Sequence, residues 1–358
     1  MNDFFKGLKV VELANVLAGP AVGLFFSELG ADVIKIENKL TGGDVTRTWK
    51  LPCENKKSKS SAYYASVNWN KKSRFLNLKN KAEKQQVYEL IKTSDIVITN
   101  YKSGDDKKLG MEYSTFKKIN PRIIHAQING YGEKIKRTAY DIVLQAETGF
   151  MYMNGTPTSG PLKMPVAMID LMAAHQLKEG ILIALLKRAK SGKGSKVSVS
   201  LFDSAIASLA NQASSFLMTS NNPQPLGSLH PNIAPYGEIF ITKDNRQLVL
   251  AIGNDKQFDK FCKIMNMKSL LTEPKFQTNT DRVKNRKELQ KLINPLIGKY
   301  NSKHIMRLLI QDDIPAGLIN SMSDLSSYPK FSNYLNMSKG TNGETELSVK
   351  TVAFKISL

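Results

Sequence analysis

At 358 residues and 41% hydrophobic content the chain is long enough for two domains or one elaborate one, and its composition excludes a disordered protein. Lysine and arginine outnumber aspartate and glutamate 51 to 31, a net charge of +20 that suits nucleic acid, an anionic membrane surface or a phosphorylated ligand. The basic residues are scattered from Lys6 to Lys355 without a nucleic-acid-binding signature, so specific nucleic-acid binding is not expected.

Residues 8–13 read as a buried strand, Gly19-Pro20 opens a helix that runs through Phe26 to Gly30, and residues 31–37 read as the next strand, which makes a βαβ unit. Pro20 suits a first helical turn, where its missing N–H is no loss, and Gly30 suits a helix end. The turn Asn15-Val16-Leu17-Ala18-Gly19-Pro20 lacks the three-glycine dinucleotide fingerprint, which disfavours NAD. The apolar start is interrupted by Lys9 and Glu12 and shows no cleavage site, so neither a signal peptide nor a membrane span is expected. Cys53 and Cys262 are the only cysteines, which argues against a disulfide framework or a cysteine-rich metal site and for a cytoplasmic setting.

A polar loop, Gly42-Gly43-Asp44-Val45-Thr46-Arg47, leads to a lysine-rich stretch, then a strand introduced by Asn68-Trp69-Asn70-Lys71-Lys72, a helix over 82–93 and a strand over 96–99. Asn100-Tyr101-Lys102-Ser103-Gly104 follows at the carboxyl end of that strand, where ligands bind in open α/β sheets. Residues 122–128 read as a further strand, and Tyr140-Asp141 begins a helix. An apolar stretch 164–169 then turns into a helix over about 171–190, with Leu177, Ile181, Ala184, Leu185 and Arg188 at three-to-four spacing. Asp170 stands where that helix would take its N-cap, and the local pattern by itself predicts no more than a cap. From Leu217 the composition shifts to Ser, Asn, Pro and Gln, marking a linker. A smaller domain follows, with a loop 227–237 containing His230 and Asn232, strands over 238–242 and 247–252, and a helix from Asp255. At the end Val352, Phe354, Ile356 and Leu358 alternate like an edge strand.

The runs Gly180-Ile181-Leu182-Ile183-Ala184-Leu185, Ser191-Gly192-Lys193-Gly194 and Val197-Ser198-Val199-Ser200, placed after Asp170, resemble the class III CoA-transferases, the CaiB/BaiF family that includes formyl-CoA transferases. The Ala18-Gly19-Pro20 turn, Gly43-Asp44 with Thr46-Arg47, the stretch 68–79, Asn100 to Gly110, Tyr140-Asp141, the loop 227–237 and Ile314-Pro315 with Gly317 are similar to that family's motifs in the same order. The resemblance implies an α/β chain with a Rossmann-like large domain over 1–216, a linker and smaller α+β domain over 217–313, and a return to the large domain over 314–358. It further implies an interlocked homodimer.

The same resemblance implies that Asp170 is a nucleophile and that Val16, Leu17, Ala18, Asn38, Arg47, Lys71, Asn100, Tyr101, Lys102, Lys108, Leu109, Tyr140 and Asp141 hold coenzyme A. Tyr101 would offer a face to adenine and Lys108 a charge to phosphate. His230 and Asn232 would lie in a cover over the acyl site. Coenzyme A and acyl-CoA are then substrates, a carboxylic acid is the other partner, and no metal is needed. Related racemases carry His at the Tyr140 position, and a phenol with a reference pKa near 10 is a poor base at neutral pH, which points to a transferase. A racemase, a thioesterase or a non-catalytic CoA-binding protein are the alternatives. The departures are Lys108 where many relatives have Arg, Ser103 where Pro is usual, a cover loop that is not glycine-rich, and an end at Leu358 where relatives continue. The acid pair stays open.

Overall fold

The computed structural model describes residues 3–339 and 343–357. The chain runs through β1 (Lys9–Leu13), α1 (Ala18–Glu28), β2 (Asp32–Asn38), α2 (Ala62–Asn68), β3 (Lys72–Leu76), α3 (Lys81–Lys92) and β4 (Ile96–Thr99). It continues with α4 (Asp105–Leu109), α5 (Tyr113–Ile119), β5 (Ile124–Asn129), α6 (Asp141–Glu147), α7 (Phe150–Met153), β6 (Gly155–Thr156), β7 (Gly160–Pro161), α8 (Met168–Ser191) and β8 (Ser195–Ser200). Then come α9 (Leu201–Ala207), α10 (Ala210–Thr219), β9 (Tyr236–Ile241), β10 (Gln247–Ala251), α11 (Asp255–Ile264), α12 (Asn279–Lys284), α13 (Arg286–Ile297), α14 (Ser302–Gln311), β11 (Ala316–Leu318), α15 (Met322–Ser326), β12 (Leu335–Lys339) and β13 (Thr345–Val349).

The first unit takes in residues 1–151, 163–223 and 332–358 and is built on a parallel sheet in the order β3-β2-β1-β4-β5-β8. Its central strands β1, β4 and β5 are buried on both faces because helices cover both. Val10, Ile98 and Ala126 pack under Phe26 of α1 and Leu177 and Ile181 of α8, while Val11, Leu13 and Val97 pack under Val87 and Ile91 of α3 and Phe116 of α5. The order reverses at β1, with β2 on one side and β4 on the other, so the loops leaving β1 and β4 diverge and leave a crevice at their carboxyl ends.

The second unit takes in residues 152–162 and 224–331. Its antiparallel sheet β11-β10-β9 packs Phe240, Leu248 and Leu250 against Phe258 and Phe261 of α11, Leu289 and Ile293 of α13, and Ile305 and Leu309 of α14. This is the expected α+β arrangement with different bounds. The segment from Ile314, expected to return to the large domain, instead pairs with β10 as β11, and the chain rejoins the first unit only at Ser332.

The edge strand expected at 352–358 is also replaced. Val352 to Ser357 carry no strand, and Leu358 lies outside the described residues. The hairpin β12–β13 precedes them and packs against α2, where the Trp69 indole donates to the Met337 carbonyl at 3.1 Å. Among the described residues no helix is long and apolar enough to cross a membrane.

Candidate active site

A cleft of about 210 Å³ opens at the carboxyl ends of β1, β4 and β5 in the first unit. Its wall is built from Asn15 to Ala18 after β1, Asn100 to Ser103 after β4, Asn129 and Gly130 at the end of β5, the approach to α6 from Arg137 to Asp141, and Asp170. Asn100 braces the first loop from the second: its Oδ1 accepts the Asn15 N–H at 3.0 Å and its Nδ2 donates to the Asn15 carbonyl at 2.7 Å. The packing of α1 onto this loop is close, and a Cβ at Gly19 would collide with the Ala14 side chain.

Asp170 does not cap its helix. α8 begins at Met168 with Ala167 as N-cap, no side chain of its own caps it, and Asp170 lies inside the first turn. The cap comes from Asp141, whose Oδ1 accepts the N–H of Ile169 at 2.8 Å and of Asp170 at 3.4 Å. Asp141 Oδ2 in turn accepts from Gln145 Nε2 at 2.6 Å, and Gln145 Oε1 accepts the Met164 N–H at 2.8 Å. One side-chain clamp from α6 thus fixes both the approach to α8 and its first turn, meeting helix amides that would otherwise be orphaned.

Asp170 is 9% exposed, and its carboxyl accepts no hydrogen bond from protein among the described residues. Burial, and after it the charge of Asp141, pushes it up to about 7. The helix N-terminus does not offset this, because loss of hydration outweighs a helix end whose amides are already shared with Asp141. A half-buried phenol, Tyr63 of α2, faces the same charges: burial and then Asp170, Asp141 and Asp44 push it up to about 12.

Val16, Leu17, Ala18, Asn100, Tyr101, Lys102, Tyr140, Asp141 and Asp170 come together on the cleft as expected. Other expected positions lie off it. Lys71 is buried, its ammonium held by Glu12 Oε2 at 2.8 Å, the Pro20 carbonyl at 2.8 Å and Asn68 Oδ1 at 3.1 Å, so it faces structure and no open ligand site. Burial, outweighing Glu12, brings it down to about 8.

Arg47 forks onto Glu37, with Nε at 2.8 Å and Nη2 at 2.6 Å, and lies 3.7 Å over the Tyr64 ring. Against the cost of burial these bonds hold the Glu37 carboxyl at about 2. Arg47 lines a second hollow with Lys50, Lys56, Lys59 and Phe75 instead. Asn38 accepts the Leu40 N–H to cap a short 3₁₀ turn, Leu109 packs into the core beneath α3, and the exposed Lys108 pairs with Asp105 at 2.8 Å.

His230 and Asn232 belong to the second unit. There the Asn232 N–H donates to His230 Nδ1 at 3.1 Å, and Asn279, Arg282 and Arg286 hold the carbonyls of Asn232, Ala234, His230 and Ile233. Sequence reasoning missed Asn15, Asn129, Thr138 and Tyr63. Asn129 was within reach, since it stands at a strand's carboxyl end as Asn100 does, but Tyr63 carries no local signal. No group of three or more His, Cys, Asp or Glu side chains suited to a metal occurs among the described residues.

The profile of CoA-transferase family III matches residues 5–358. The chain belongs to that family. It is 35% identical over 331 residues to the succinate–glutarate CoA-transferase of Agrobacterium fabrum, covering 91% of this chain and 82% of that one. It is 36% identical over 325 residues to the mouse succinyl-CoA:glutarate CoA-transferase, covering 90% and 73%. A CaiB/BaiF family protein from Brucella suis shares its fold with a TM-score of 0.87 and 34% identity, over 100% of this chain and 93% of that one. The protein is thus a class III CoA-transferase, an enzyme for which CoA thioesters are substrates, on the α/β fold expected of it.

Proposed function

We propose that the cleft moves coenzyme A from an acyl-CoA to a free carboxylic acid through covalent intermediates on Asp170. The observation that supports this is the unequal engagement of the two carboxylates on the cleft. Asp141 uses both oxygens to hold α6 and α8, while the Asp170 carboxyl is poor in water and accepts no hydrogen bond from protein among the described residues. A carboxylate deprived of both is a better nucleophile than one already satisfied.

In this reading the ionised Asp170 oxygen attacks the thioester carbonyl, the C–S bond breaks, and CoA leaves as the thiolate, giving a mixed aspartyl–acyl anhydride. The thiolate then attacks the Asp170 carbonyl, releasing the first acid and leaving an aspartyl–CoA thioester. The carboxylate of the second acid repeats the sequence in reverse order: it forms a new anhydride and frees the thiolate, which takes the new acyl group and restores Asp170. No bond to water forms, so thioester energy is conserved. The loop after β1 and the Asn100–Lys102 segment would carry the CoA, Tyr101 offering its face and Lys102 its charge. The similarity to succinate and glutarate transferases makes a C4–C5 dicarboxylate pair the first substrates to test.

The test is chemical trapping. Wild type incubated with succinyl-CoA and then hydroxylamine should carry a hydroxamate at Asp170, read as a mass shift in its peptide. Asp170→Asn should bind CoA and lose exchange by several orders of magnitude, because an amide forms no anhydride. Labelling at another residue, or near-normal exchange by Asp170→Asn, would reject the assignment.

A further inference from the structure

Val16 lies on the cleft at φ 69°, a left-handed conformation that is an outlier for a β-branched residue and has to be imposed by its surroundings. The turn is gripped at successive residues. Lys35 Nζ donates to the Ala14 carbonyl at 2.6 Å, Asn100 takes both backbone groups of Asn15, and the Val16 N–H donates to Asp44 Oδ1 and Oδ2 at 3.3 and 3.2 Å.

Asp44 is 2% exposed and sits in the loop between β2 and α2. Its Oδ1 accepts from the Thr46 hydroxyl at 2.8 Å and the Thr46 N–H at 3.1 Å, and its Oδ2 meets the fully buried Lys35 at 3.1 Å. Its own N–H donates to Glu37 Oε2 at 2.8 Å. Capping the 3₁₀ turn at Val45–Thr48 accounts for the Thr46 contacts, but not for the reach to Val16. A desolvated carboxylate with these partners is costly to assemble, and here it ends on the one amide of a strained turn beside Asp170.

We propose that Asp44 is a positioning residue for the transfer reaction: by accepting the Val16 amide it holds the turn at Asn15 to Ala18 in the left-handed conformation that shapes the CoA-bearing wall of the cleft. This rests on the reading of the cleft as the CoA site. Thr46 and Lys35 orient Asp44, Asp44 orients Val16, and none of the three needs to touch substrate.

The experiment measures CoA affinity by calorimetry and succinyl-CoA exchange for Asp44→Asn, alone and combined with Val16→Gly. Asp44→Asn should weaken CoA binding about tenfold, the scale set by one strained residue losing its support. Adding Val16→Gly should recover most of that loss, since glycine adopts a positive φ without being held there. A purely structural Asp44 would lower melting temperature without such rescue. Should Asp44→Asn not fold, Thr46→Val keeps every charge while loosening Asp44, and the same loss and the same rescue are expected of it. Unchanged CoA affinity in the folded variant, or a loss that Val16→Gly does not restore, overturns the assignment. A wild type that bound no CoA would overturn the proposed function beneath it.

Discussion

Asp141 caps the helix that carries Asp170, its Oδ1 lying 2.8 Å from the Ile169 nitrogen and 3.4 Å from that of Asp170. The same carboxylate therefore does two things to its neighbour: it fixes the first turn on which Asp170 stands, and its charge adds to the burial that holds the Asp170 carboxyl near 7.

Asp141→Asn keeps an oxygen for the Ile169 amide and removes the charge. The Asp170 carboxyl should then titrate lower, though still above an ordinary aspartate because burial is the larger cause. The acid limb of kcat/KM against pH should move to lower pH, with a loss of stability of about 1 to 3 kcal/mol because the new amide nitrogen faces the buried Gln145 Nε2. An acid limb that stayed in place would show that Asp141 acts only as a cap.

Asp170→Asn should change the pH dependence of stability. The folded carboxyl titrates near 7 and the unfolded one near an ordinary aspartate's value, so between the two the folded state binds more protons, and stability falls as pH rises through that window. With Asp170 ionised, wild type above pH 7 carries a penalty on the order of 4 kcal/mol that the amide lacks. The variant should accordingly gain melting temperature over wild type at pH 8 relative to pH 4. Parallel melting curves across that range would refute the shift.

Two lysines that look alike in sequence should part company. Lys71→Met leaves Glu12 with one buried cation fewer and should cost about 3 to 5 kcal/mol in denaturant unfolding. Lys108→Ala removes an exposed ammonium in a surface pair that lies off the cleft and should change stability by less than about 1 kcal/mol in the same measurement. A loss in the Lys108 variant as large as that of Lys71→Met would refute the distinction.

A homodimer is the expected assembly. In the first unit Ile183 and Leu186 of α8 and Leu217 and Met218 of α10 are exposed, at 66%, 68%, 79% and 85%. Ile183 and Leu186 stand three residues apart on one face of α8, and an exposed apolar helix face is one on which a second chain can pack. Light scattering should give twice the chain mass at micromolar concentration, and a monomer there would be decisive against it.

Much of this architecture was legible residue by residue. The runs at Val10-Val11 and 96–99 are apolar on both faces because a parallel sheet is covered on both, and the helix patterns between them then leave little choice of topology. The segment after β4 could be named as a binding loop from its place at a strand's carboxyl end, whereas the turn after β1 was named through its resemblance to a family motif.

What sequence could not settle was which partner each polar side chain meets. Asp170 looked like its own helix's cap because Asp141, which caps that helix, is 29 positions earlier, and Lys71 was expected at coenzyme A because its partner Glu12 is 59 positions away. Arg47 was taken by Glu37, and β11 stayed with β10 because strand pairing is satisfied by whatever edge the fold presents. Local patterning carries periodicity, capping preference and turn chemistry, which are properties of neighbours along the chain. The state of a buried charge depends on water lost and on groups brought in from elsewhere, so the raised carboxyl of Asp170 and the hold of Asp44 on Val16 exist only once the tertiary structure has formed.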